Sequence, residues 1–249
     1  MFQIENLKKD VADGNFNSIA RVISSIENEV AGVDDFLATL TPGFIPVIGI
    51  TGPPGAGKST LISALIGNYV LQNKKIAIIS VDPSSIKHKG ALLGDRIRMK
   101  DWYLHPSVYI RSLASRLHLG GLVKSIHKIT KFLKSTGFDI VILETVGVGQ
   151  SEVEVASVAN LTILVLVPEA GDDIQMMKSG LFEVANIFVV NKSDRADAKK
   201  FLSHLTNSLN DRIQSGEKIG IIETIANTGQ GIEALDNCIN SFLIQIHTN

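Results

Sequence analysis

The chain opens on apolar residues at helical spacing. Leu7 and Val11 are four apart, and Ile19, Ile23, Ile26 and Val30 follow at intervals of four, three and four, which places them on one helical face. Gly14-Asn15 separates the two patterns and reads as a turn. At Thr41-Pro42-Gly43 the period changes, and short continuous apolar runs take over: Val47 to Thr51, Ile76 to Val81, a brief Val108 to Ile110, Ile140 to Leu143, Leu161 to Val167, Ile187 to Val190 and Ile219 to Ile222. Between them Ser59 to Leu71 is helical, with Leu61, Ile62, Leu65 and Ile66 on one side. Leu122 to Leu133 is helical too, with Val123, Ile126, Ile129, Thr130 and Leu133 on one face. The last helix turns Ile232, Leu235, Ile239, Phe242 and Ile246 inward.

Runs that are apolar throughout predict strands covered on both faces. Strands separated by helices predict right-handed βαβ crossovers and a mainly parallel sheet. The expected fold is α/β, with helices on both faces of the sheet: an N-terminal helical segment over residues 1–42, then one α/β domain over 43–249.

Composition narrows the class. A chain of 249 residues, 45% apolar, can bury roughly three quarters of its unfolded surface and needs no staples to fold. Its one cysteine, Cys238, excludes an internal disulfide framework and fits a reducing compartment. With 24 basic and 25 acidic residues the net charge is −1, so there is no electrostatic footprint for nucleic acid or an anionic membrane. No apolar stretch approaches the ~18 residues of a spanning helix, and Met1 to Glu5 has neither a basic nor an apolar signal region. The expectation is a cytoplasmic enzyme or switch.

Gly52-Pro53-Pro54-Gly55-Ala56-Gly57-Lys58-Ser59-Thr60 follows the first strand and opens a helix, as the G-x-x-x-x-G-K-[ST] phosphate loop requires. Glycines let backbone N–H groups curl around phosphates, and the helix adds its positive end. Lys58 would reach the β- and γ-phosphates, and the Ser59 hydroxyl would ligate Mg2+. The fold is therefore expected to be of the P-loop NTPase kind.

Ile187 to Val190 runs into Asn191-Lys192-Ser193-Asp194 at the carboxyl end of a strand, where open α/β sheets bind ligands. The Asp194 carboxylate can accept from guanine N1–H and the 2-amino group. Adenine offers a lone pair at N1 and nothing at C2, so the carboxylate would face an acceptor. Asn191 is expected to address the N7/O6 edge, and the Lys192 stem to lie along the base. Alone, the tetrapeptide reads as a solvated turn; in phase with a P-loop it points to GTP and GDP. Thr224-Ile225-Ala226-Asn227 follows the last strand, where a backbone N–H of Ile225, Ala226 or Asn227 could meet guanine O6.

Ile140 to Leu143 ends in Glu144, followed by Thr145-Val146-Gly147. Glu144 can hold Mg2+ directly or through water, and the Gly147 amide can bond the γ-phosphate. Asp82 and Asp95 are further carboxylates available to the ion. Mg2+ keeps waters, so not all of them can touch it; Asp95-Arg96 also reads as a surface ion pair. After Gly147 stands Val148, which cannot orient a water, and Gln150 lies two residues on; slow intrinsic hydrolysis is expected. Pro168 to Gln175 is a polar loop at the ligand end, with Lys178 beyond it, and from composition Lys178 is a solvent lysine. Six histidines show no metal-ligand spacing. Trp102 and Tyr103 beside Met99 read as a local packing cluster before an exposed patch.

Taken together, Gly52 to Thr60, Ser80-Val81-Asp82-Pro83-Ser84-Ser85, Leu93 to Met99, Glu144 to Glu152 and Asn191 to Asp194 resemble the methylmalonyl-CoA mutase-associated GTPases, the MeaB/ArgK group. The resemblance covers roughly residues 5 to 240. It implies a G-protein chaperone that uses GTP to gate cofactor delivery to, or protect, an adenosylcobalamin-dependent acyl-CoA mutase. It also implies that Asp82, Asp95 and Glu144 are the metal and switch carboxylates, and that Lys178 is a third-switch lysine. Members of the group usually continue into a helical dimerisation arm, whereas this sequence runs to Asn249, which leaves the dimer an open question. A rival function attached to the group is a kinase or ATPase of lysine/arginine/ornithine transport; the acceptor pocket and lid of a kinase are not identifiable in the sequence.

Overall fold

The computed structural model describes residues 4–82, 99–114, 119–145, 151–168 and 180–248. Among these residues seven strands form one sheet: β1 (Val47–Thr51), β2 (Ile76–Asp82), β3 (Val108–Ala114), β4 (Ile140–Thr145), β5 (Leu161–Leu166), β6 (Ile187–Asn191) and β7 (Gly220–Thr224). Their order across the sheet is β3-β2-β4-β1-β5-β6-β7, and every pair is parallel. The helices among the described residues are α1 (Ile4–Ala12), α2 (Phe16–Glu27), α3 (Val33–Ala38), α4 (Lys58–Leu71), α5 (Leu119–Leu133), α6 (Ser151–Val158), α7 (Gly180–Val184), α8 (Ala198–Gln214) and α9 (Ile232–Thr248).

Strand side chains alternate between two faces, so one apolar run feeds two cores. Ile48 and Ile50 of β1 join Ile142, Ile163 and Val189 under α4 and α9, whose Leu61, Ile62, Leu65, Leu235 and Ile239 close that layer. Val47, Ala77, Ile79 and Val141 face the other way, onto Ile19, Val22 and Ile23 of α2 and Ile126, Ile129 and Phe132 of α5. A third cluster puts Leu205 and Leu209 of α8 on Phe188 and Val190. Leu61, Ile62, Leu65 and Ile66 are each at most 1% exposed. At about 1.5–3 kcal/mol per fully buried aliphatic side chain, this stripe fixes α4 against the sheet.

Polar contacts add to the docking of the N-terminal helices. The Arg111 guanidinium of β3 donates to Ala20 O (3.3 Å) and Ser24 Oγ (3.0 Å) and pairs with Glu27, all on α2. Beside it Tyr109 packs edge-on to Phe16 at 5.4 Å. Burial pushes the Tyr109 phenol up to about 12, against the opposing influence of Arg111.

The expected elements are present, with one inward position corrected. Asn15 caps α2 by accepting from Ser18 N at 3.1 Å, and the helix stops at Asn28, where Glu29 takes φ +49°. Val30 therefore leaves the Ile19/Ile23/Ile26 face and is 41% exposed. The last helix buries Ile232, Leu235, Ile239 and Phe242 as expected, while the Ile246 side chain lies outside those described.

Candidate nucleotide-binding site

The site lies at the carboxyl ends of β1, β4, β6 and β7, and its centre is the loop from Gly52 to Gly57. Gly52 has φ +141°, and a Cβ there would sit 2.1 Å from Val165 O of β5. Gly57 has φ +88°, and its Cβ would meet Asn191 Nδ2 at 2.4 Å. Both positions thus require glycine for conformation and for space. Lys58 is 7% exposed and folds back over the loop, donating to Gly52 O (2.6 Å) and Pro53 O (2.9 Å). Helix α4 starts here with no side-chain cap at Gly57, so its first-turn N–H groups and positive dipole end face the loop. Ala56 is buried and Pro53 half-buried, whereas Pro54, Gly55 and Thr60 are exposed.

The metal side is built from three strands' worth of neighbours. Ser59 Oγ donates to Glu144 Oε1 at 2.6 Å, and Ser80 Oγ donates to Glu144 Oε2 at 3.1 Å. All three residues are buried. Thr145 Oγ1 donates to Thr51 Oγ1 at 2.9 Å and ties β4 to β1 at the same end. A serine hydroxyl and a carboxylate are hard oxygen donors, the set that suits Mg2+, so Ser59 and Glu144 fit that ion. Asp82 ends β2, where its backbone is in register with Ala114; its side chain is not among those described. Among the described residues no three or more His, Cys, Asp or Glu cluster to hold a metal. Asp95, Gly147 and Lys178 lie outside the described residues, as do Val148, Gln150 and residues 169–179.

On the base side Asn191 ends β6 and is 2% exposed. Its Nδ2 donates to Ala56 O (2.8 Å), and its Oδ1 accepts from Ala226 N (3.1 Å) and Thr224 Oγ1 (3.1 Å). These partners fix which amide atom is which, because Ala226 N can only donate and Ala56 O only accept. The Asn191 oxygen is thus engaged within the protein, and one Nδ2 hydrogen, the kind of donor that guanine N7 or O6 would accept, is left over. The same bond engages the Ala226 N–H that was a candidate for guanine O6. Ile225 is half-buried and Asn227 exposed; Ile225 forms an antiparallel bridge with Gln230 that shapes their turn. Lys192, at φ +57°, donates from Nζ to Gly55 O at 2.9 Å, which lays its stem over the phosphate loop. Asp194 is exposed two residues beyond.

Sequence reasoning missed Ser80 and the bracing role of Asn191. The signal for Ser80 was present, since it is the one hydroxyl in the apolar run Ile76 to Val81. Trp102 donates from Nε1 to Ser63 Oγ of α4 at 2.9 Å, with Met99 1% exposed beneath, while Tyr103 and Leu104 are exposed. Cys238 is half-buried, and burial pushes its thiol up while Lys218 opposes.

Parallel order, phosphate loop and strand-end carboxylate define a P-loop nucleotide-binding protein. By fold it is similar to a crystal structure of an LAO/AO transport system kinase, with TM-score 0.75 and 22% identity over 98% of this chain and 76% of that one. It is also similar to HypB from Helicobacter pylori in complex with nickel, with TM-score 0.57 and 16% identity over 90% of this chain and 94% of that one. The family model for the methylmalonyl Co-A mutase-associated GTPase MeaB matches residues 19–249, and the chain belongs to that family. A Pyrococcus horikoshii relative, provisionally named a GTPase, is 44% identical over 93% of this chain and 74% of its own length. The Escherichia coli GTPase ArgK is 44% identical over 59% of this chain and 44% of its own. The mitochondrial methylmalonic aciduria type A homolog of Caenorhabditis elegans is 42% identical over 59% of this chain and 37% of its own.

Proposed function

We propose that the chain binds GTP with Mg2+, hydrolyses it to GDP and phosphate, and uses the cycle in the cytoplasm to gate cofactor delivery to, or protect, an adenosylcobalamin-dependent acyl-CoA mutase. The observation that carries the nucleotide part is the coupling of two half-sites through one side chain: Asn191, in the base-reading tetrapeptide, donates to Ala56 O of the phosphate loop. Lys58 and the α4 N-terminus would neutralise phosphate oxygens, Ser59 and Glu144 would hold the ion, and Asp194 would select guanine. Mg2+ would supply charge neutralisation across the β- and γ-phosphates. Asp82, Asp95, Gly147 and Lys178 complete the proposed machinery, on a domain spanning 43–249 preceded by the helical segment 1–42. A valine at position 148 offers no hydrogen bond to an attacking water, so turnover is expected to be slow until a partner completes the site.

The mutase part rests on family membership and on the name of the Caenorhabditis relative. The transport-kinase alternative is weaker, because the structure that carries that name is alike at 22% identity and speaks for the fold alone. The test is capture from the native cell on the full chain loaded with a non-hydrolysable GTP analogue. Recovery of a cobalamin-dependent mutase, lost with GDP in place of the analogue, is expected; recovery of none would overturn the client assignment.

A further inference from the structure

The geometry points to Ser80 as a positioning residue for Glu144, one that sets the response of bound nucleotide to Mg2+. The inference rests on the reading of the site as one for GTP and Mg2+. Strands β2 and β4 are neighbours, and Ser80 and Glu144 are partners in their register. Ile78, Ile79 and Val81 around Ser80 are fully buried, and Ser80 itself is 2% exposed. A hydroxyl in such surroundings is costly unless it is hydrogen-bonded, and its bond goes to Glu144 Oε2.

Glutamate carries one more rotatable bond than aspartate, so a glutamate at a strand end reaches further and is held less firmly by its own backbone. The Ser59 bond holds Oε1 from the phosphate-loop helix. The Ser80 bond holds Oε2 from a strand of the sheet, so the orientation of the carboxylate plane is set from a second, independent element. With its proton held by Oε1, the Ser59 hydroxyl has its lone pairs turned away from Glu144, toward the position of a cation. Ser80 thus touches neither nucleotide nor ion and acts through Glu144, by keeping the Ser59 oxygen aimed. Hydrogen bonds to an ionised acceptor are among the stronger neutral-donor contacts in proteins, so the loss is measurable.

The experiment uses the full-length chain as wild type, Ser80→Ala and Ser80→Cys. The last keeps the shape, with a slightly larger atom, and a weak donor. Release of a fluorescent GDP is timed in excess chelator and across an Mg2+ titration, alongside the denaturation midpoint. Ser80→Ala is expected to release GDP within about twofold of wild type in chelator, yet to need about tenfold more Mg2+ for half-maximal slowing. Ser80→Cys should fall between them, and it carries the test if the alanine variant does not fold. An Mg2+ requirement unchanged in both variants overturns the inference, as does an equal acceleration with and without the ion, which would mark a merely structural role. Wild-type protein that binds no guanine nucleotide would instead overturn the functional reading beneath it.

Discussion

Replacing Asn191 by alanine tests whether the phosphate loop and the base loops are one mechanical unit. The substitution strips partners from three groups at once: Ala56 O at 2.8 Å, Ala226 N at 3.1 Å and Thr224 Oγ1 at 3.1 Å. Ala56 and Thr224 are 0% exposed and Ala226 is 7% exposed, so these groups do not simply turn to solvent. Each orphaned buried group costs about 1–3 kcal/mol, but the losses are not additive, since the threonine hydroxyl can rotate and water can enter the space left by the amide. The expected destabilisation is about 2–4 kcal/mol, or ~5–15 °C in melting temperature for a chain of this size. GDP affinity should fall at least about tenfold, because both loops that hold the nucleotide lose their brace. Asn191→Asp separates the contributions: the two bonds accepted by Oδ1 survive, while a carboxylate is placed against Ala56 O. It should release the phosphate loop while keeping the turn at Ala226. Thermal unfolding with and without GDP, with titration of a fluorescent nucleotide, reads both. An alanine variant that melts within about 1 °C of wild type and binds GDP equally would refute the reasoning.

Three further outcomes are expected. Asp194→Asn should weaken GTP binding and relax discrimination against ATP, read by competition titration; unchanged discrimination would sink the base assignment. Lys58→Ala should abolish tight triphosphate binding and lower the melting temperature without nucleotide by a few degrees, because Gly52 O loses its buried donor, read by calorimetry and thermal unfolding. Tyr109, raised to about 12 in the folded chain against ~10 when unfolded, favours the folded state while protonated. That contribution is complete below pH ~10 and is lost as pH rises toward about 12, because the unfolded chain releases its proton first. Denaturant melts across that window should show the decline, and Tyr109→Phe should flatten it.

The sheet was legible because buried parallel strands are apolar throughout, and β1, β4, β5 and β6 are buried at every residue. The phosphate loop was legible because Gly52 and Gly57 must be glycine, at φ +141° and +88°. Helix α8 was not anticipated: over Ala198–Gln214 only Ala198, Leu205 and Leu209 are fully buried, and its polar residues mask the period. Asn191 was read from its motif as a base contact, since nothing linear in the chain shows that Ala56 and Ala226 lie beside it. Ser80 stands out as the one hydroxyl in its apolar run, but its partner Glu144 is 64 residues away in sequence, so what it bonds to was not legible. Contacts made across the sheet appear only when the register is known.

The central claim is that this MeaB-family chain is a guanine-selective, Mg2+-dependent GTPase, and one measurement tests it most directly. Purified protein is titrated with GTP and ATP in the presence of Mg2+, and product formation is followed in the same samples. The account predicts binding of GTP at least about a hundredfold tighter than ATP, with slow conversion to GDP and phosphate that stops when the ion is chelated. Equal affinity for the two nucleotides, or GTP left intact with Mg2+ bound, would contradict it.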